Sequence, residues 1–87
     1  MLIDQSRLKP GDPGLWYLLA EVQGLSGNII GLHQSRAEYF ILVGNLDAAQ
    51  RQLVYALKLV GDDFTVSAQI NDRIGQIIEM RTDIDSG

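Results

Sequence analysis

Residues Arg36–Asp63 read RAEYFILVGNLDAAQRQLVYALKLVGDD. Ala37, Phe40 and Ile41 before Gly44, and Ala49, Leu53, Ala56, Leu57 and Val60 after it, recur at the three- and four-residue spacing of a helix face. Each half therefore carries a stripe to bury. Gly44 accepts the positive φ that ends a helix, and Asn45 can cap the next helix by taking a backbone N–H from its first turn. The stretch predicts a helical hairpin, with alanines where the two backbones come together.

The same punctuation recurs outward from that turn. It reads Leu25-Ser26-Gly27-Asn28, Leu42-Val43-Gly44-Asn45 and Leu59-Val60-Gly61-Asp62, with a degenerate copy at Leu8-Lys9-Pro10-Gly11. The leucines fall at 8, 25, 42 and 59, a constant step of 17. One such step holds a helix of three to four turns plus a tight connection, so the chain reads as a stack of similar helices.

Composition bounds what the stack can do. At 87 residues the chain holds one small domain with a thin core, and a hydrophobic content of 46% leaves apolar surface for a neighbour. The net charge is −4, and the basic residues Arg7, Lys9, Arg36, Arg51, Lys58, Arg73 and Arg81 are scattered. Nucleic-acid binding needs a basic stripe to neutralise phosphates, and none is present. There is no cysteine, which removes disulfides and thiolate sites without fixing a compartment. No run approaches the ~20 apolar residues that span a bilayer. Met1-Leu2-Ile3-Asp4 has neither a basic leader nor an apolar targeting core.

In chain order, residues 1–11 read as a lead-in, 12–81 as the helical domain and 82–87 as an acidic, disordered tail. Asp12-Pro13 opens helix A (13–26), with Asp12 as N-cap and Pro13 at the first helical position. Its stripe is Leu15, Leu18, Leu19, Val22 and Leu25, with Trp16 beside it as an anchor between helices. Helix B (29–43) places His33 among Ile29, Ala37 and Phe40. A lone histidine there reads as a satisfied helix contact, since a metal or nucleophile site needs partners that this face lacks. Helix C (46–60) approaches helix B through Ala49 and Ala56. Helix D (63–81) carries Val66, Ile70, Ile74, Ile77 and Ile78 on one side and a polar run, Thr65, Gln69, Asp72, Gln76 and Glu79, on the other. Such a wet face ends a stack in solution. Gly75 within it marks a close approach or a weak point.

His33–Asp63 resembles the tetratricopeptide pattern, with small residues Ala37, Ala49 and Ala56 at helix contacts, a large Phe40 late in the first helix and the turn glycine Gly44. It departs from that pattern at His33, where a tryptophan is usual, and at Gly61, where a proline is usual. More narrowly, AEVQGLSG at 20–27, HQSRAEYF at 33–40 and ALKLVGDDF at 56–64 are similar to the C-terminal tetratricopeptide region of bacterial periplasmic zinc metallopeptidases of family M forty-eight. These are relatives of the beta-barrel assembly-enhancing protease. The resemblance implies a parent protease of outer-membrane protein quality control, a periplasmic location and a zinc site held outside this chain. The HExxH motif that holds such a metal is absent here.

Catalytic signals are missing elsewhere too. There is no G-x-S-x-G elbow and no phosphate-cradling glycine loop, and the adjacent Asp62 and Asp63 suit a helix cap. The resulting expectation is an all-α stack of four antiparallel helices, a non-catalytic protein-interaction domain with no cofactor in this chain. Its tetratricopeptide register places Gln34, Glu38 and Ile41 of helix B, and Ala68, Asp72 and Gln76 of helix D, toward a partner-binding groove. The alternatives are self-association through Trp16 and Tyr17, giving a homodimer, or docking on the parent's own protease domain.

Overall fold

The structure is a computed structural model that describes the backbone of residues 11–86 and the side chains of residues 11–82. Its elements are α1 (Pro13–Leu25), α2 (Ile29–Leu42), α3 (Leu46–Val60) and α4 (Phe64–Ser86), with no strand among the described residues. The all-α stack of four helices is what forms. Each predicted boundary lies within one residue of the observed one except at the end of α4. There the expected disordered tail is corrected, because the helix runs on through Ser86. No glycine or proline intervenes after Gly75 to stop it, and Thr82 Oγ1 bonds back to the Ile78 carbonyl at 3.0 Å. Gly87 and residues 1–10 of the expected lead-in lie outside the described residues.

The turns follow from their sequences. Gly27 and Gly44 take φ of +82° and +85°, and the chain closes each helix with a Schellman pair of bonds. Asn28 N–H donates to Gln23 O and Asn45 N–H to Phe40 O, both at 2.8 Å. The same asparagines then cap the following helix, Asn28 Oδ1 accepting from Gly31 N–H (3.0 Å) and Asn45 Oδ1 from Ala48 N–H (3.2 Å). Asp12 does this for α1 and Asp63 for α4. One residue thus satisfies the last carbonyls of one helix and the first amides of the next, which is why three residues suffice to reverse the chain.

Each helix packs chiefly on its neighbours in sequence, giving a stack with extents of 45 × 36 × 18 Å. The core lies between α2, α3 and α4. Ala37 of α2, Ala49, Leu53 and Ala56 of α3 and Ile70 and Ile77 of α4 form one buried cluster, with Phe40, Ile41, Leu57, Val60 and Ile74 packed against it. The alanines allow close helix contact, and the leucine and isoleucines fill the space that this leaves.

α1 is joined differently. A Cβ on Gly24 would stand 2.8 Å from Leu32 Cδ1, and one on Gly31 would stand 2.5 Å from Asn28 Nδ2 and 2.7 Å from the end of the Gln23 side-chain amide. Glycine at both places lets the helices approach. The Gln23 amide spans the seam: with its nitrogen turned inward its two N–H groups can donate to Ser35 Oγ (2.6 Å) and Gly31 O (2.8 Å) of α2. Ala20 is the one α1 residue that is fully buried. The leucine stripe of α1 points away from this seam. Leu18 is 41% exposed, Val22 54% and Leu25 91%. Much of the apolar surface expected to be left for a neighbour is therefore on α1, with Phe64 and Leu59 exposed further along the chain.

Candidate functional site

A shallow groove of about 210 Å³ runs beside α2, lined by Trp16, Leu19 and Gln23 of α1, Gln34, Ser35 and Glu38 of α2, Leu53 of α3, and Gln69, Ile70 and Arg73 of α4. Of the six residues expected at a partner-binding groove, Gln34 and Glu38 line this one. The other four do not. Ile41 packs against the core, so its side chain has no room for a ligand. Ala68, Asp72 and Gln76 are exposed on α4 and do not line the groove. Ile70 and Ile77 point at the core and fix the rotation of α4, which brings Gln69 and Arg73 to the groove in place of Ala68 and Asp72. The apolar positions Ile70 and Ile77 carry this register, and the tetratricopeptide register that assigns Ala68, Asp72 and Gln76 to a groove does not match it.

Glu38 is also not a free contact group. Arg73 Nε donates to Glu38 Oε2 at 2.7 Å and Nη2 to Oε1 at 2.6 Å, a bidentate pair between α2 and α4. That bonding raises the Arg73 pKa above its ordinary value, against the lowering effect of partial burial. Arg73 Nη1 reaches Gln76 Oε1, and Gln76 Nε2 reaches Asp72. Glu38 and Arg73 are thus engaged with each other and serve as a strut between α2 and α4.

A second cleft, of about 550 Å³, opens on the other side of the α1–α2 seam. Tyr17, Ala20, Gly24 and Leu25 of α1 and Leu32, Tyr39 and Phe40 of α2 wall it, and the exposed Glu21 and Arg36 stand among them. The rings form a tilted series: Tyr17 and Tyr39 centroids are 5.9 Å apart, Tyr39 and Phe40 5.5 Å. Tilted rings of this kind present a firm apolar wall. Sequence reading missed this site because its residues come from two helices whose relative rotation is set by glycines at 24 and 31, which carry no periodic signal.

The pair offered for self-association does not share a face. Trp16 is half-buried in the groove, whereas Tyr17 is exposed at the cleft. His33 occupies the α2–α3 contact, with Nδ1 2.7 Å from Gln52 Oε1 and its ring 5.6 Å from that of Tyr55. Among the described residues no three His, Cys, Asp or Glu side chains are grouped to hold a metal, and no helix is long and apolar enough to cross a membrane.

No family model, curated protein or solved structure matches the chain.

Proposed function

We propose that the chain is a non-catalytic protein-interaction module, a tetratricopeptide-like stack that seats an apolar side chain of a partner protein in the cleft between α1 and α2. One observation carries this reading: the 550 Å³ cleft is large enough for a ligand group, is walled mainly by apolar and aromatic side chains, and has Glu21 and Arg36 to orient what enters. Interfaces favour such tyrosine and arginine surroundings. The polar groove is the weaker candidate, since its Glu38 and Arg73 already bond each other.

On the AEVQGLSG, HQSRAEYF and ALKLVGDDF strings, the module belongs in a zinc metallopeptidase of family M forty-eight in the bacterial periplasm. Zinc and proteolysis then reside in another part of that polypeptide, and the partner is a client segment or the protease domain itself.

Panning a random peptide library on the immobilised chain tests the reading. Enriched peptides should carry an aromatic or branched apolar residue and lose about tenfold or more in affinity to Tyr39→Ala and Arg36→Glu, with helicity unchanged. Enrichment that both variants leave intact removes the cleft from the account. Sedimentation at several concentrations separates the homodimer alternative, which requires a mass that rises with concentration.

A further inference from the structure

The walls of the α1–α2 cleft narrow what it can hold. At one end Tyr17 lies level with Tyr39, their ring centroids 5.9 Å apart. At the other end Gly24 lies level with Leu32, close enough that an added Cβ would stand 2.8 Å from Leu32 Cδ1. Between these contacts α1 and α2 run antiparallel for about 10 Å, or two helical turns. The α1 wall positions 17, 20, 21, 24 and 25 keep the spacing of a single helix face.

Glu21 and Arg36 take the middle of that length. Counted inward from the two end contacts, Glu21 on α1 and Arg36 on α2 come to nearly the same level. Both are exposed and both line the cleft. Neither forms a hydrogen bond or an ion pair with a described residue, whereas Glu38 is paired with Arg73 and Asp47 with Arg81. The cleft therefore has an apolar floor, an unpaired negative charge on its α1 side and an unpaired positive charge on its α2 side.

Every wall residue belongs to a helix, so the cleft offers no strand edge to receive main-chain hydrogen bonds. An extended segment laid there would turn N–H and C=O groups onto apolar walls without partners, which is costly. A helix satisfies its own backbone and presents anchors at i, i+3, i+4 and i+7, a stripe as long as the cleft. We infer that the occupant of the cleft is an amphipathic helix of a partner protein, lying along α1 and α2, with a basic flank beside Glu21 and an acidic flank beside Arg36. This rests on the reading of the cleft as a partner site and deepens it. Each exposed ion pair adds little affinity. Together they select partners, because a helix with both flanks of one sign meets a like charge on one wall.

Synthetic peptides of about 16 residues, too short to be stably helical alone, test this against the full chain. All carry leucine at i, i+3, i+4 and i+7. One has lysine on one flank and glutamate on the other, one has lysine on both and one has glutamate on both. The mixed peptide should bind about fivefold more tightly than the other two and gain helicity on binding, seen by circular dichroism. Arg36→Glu should make the all-lysine peptide the tightest. A second mixed peptide, with proline at a central outward position, keeps anchors and flanks but not the helix, and should lose at least about tenfold.

Equal binding of the proline peptide overturns the helical occupant, and an unchanged ranking on Arg36→Glu overturns the charge assignment. In both cases peptides still bind, and the reading of the cleft as a partner site stands provided that Tyr39→Ala weakens them. Binding that Tyr39→Ala leaves intact removes the cleft and the proposal together. If none of the peptides binds, the proposal falls, and the library panning decides whether the reading beneath it falls too. A dimer in sedimentation that the mixed peptide dissociates assigns the cleft to a second copy and likewise overturns the proposal.

Discussion

From α2 through α3 to α4 the helices pack around Ala37, Ala49, Leu53, Ala56, Ile70 and Ile77, all buried. Between α1 and α2 they meet through Gly24, Gly31, Ala20 and the amide of Gln23, while the leucines of α1 face outward. The two regions share a turn, a cap and a step, yet the first buries Leu53, Ile70 and Ile77, whereas the second fully buries no α1 side chain larger than that of Ala20. Burying one leucine contributes about 2 kcal/mol. A hydrogen bond such as Gln23–Ser35 contributes about 1 kcal/mol net. The α1 end is thus the less stable part of the stack, and both the cleft and the open apolar face belong to it. Binding surfaces are commonly drawn from such low-stability elements.

Substitutions chosen on either side sharpen this contrast. The largest effect belongs to Leu53→Ala, which empties the centre of the α2–α4 core and should cost about 3 kcal/mol, lowering the urea midpoint seen by circular dichroism for the whole chain. Gly31→Ala comes next. Its Cβ displaces both Asn28, which caps α2, and Gln23, which bridges the seam, at about 2 kcal/mol. The loss should appear in Trp16 fluorescence, which reports α1, before it appears in total helicity. A loss seen equally by both probes would mean that the seam and the core unfold as one unit.

Gly75→Ala acts in the opposite direction. A Cβ there meets nothing within 4 Å, so the position is only a weak point in α4, and alanine should stabilise by about 0.5–1 kcal/mol, raising the thermal midpoint. The smallest effects separate strut from surface. Glu38→Ala breaks the bidentate pair with Arg73 and should cost about 1 kcal/mol after allowing for its partial exposure, whereas Asp72→Ala, on the exposed side of α4, should stay within about 0.5 kcal/mol. Equal costs would contradict the rotation of α4 described here.

Helix order, turns and caps were legible because they are local: Gly44-Asn45 and Gly27-Asn28 specify both a helix end and the next start within two residues. The α2–α3 core was legible from the spacing of Ala37, Ala49, Leu53 and Ala56. The site was not. Glu38 and Arg73 lie 35 residues apart, and no periodicity announces their pairing. Leu15, Leu18, Val22 and Leu25 do form a helical stripe, but a stripe says only that a face is apolar. Gly24 and Gly31 lie at the side of α1 that turns inward, and isolated glycines leave no periodic signal of a contact.

Native-state amide hydrogen exchange tests the difference between the two ends most directly. Amides of α1 between Leu18 and Gly24 should exchange at least about tenfold faster than those of α3 between Leu53 and Leu57, because opening α1 breaks a small-residue seam and leaves the core intact. Equal protection along both helices would contradict the account, showing a single closed unit with no separately opening end.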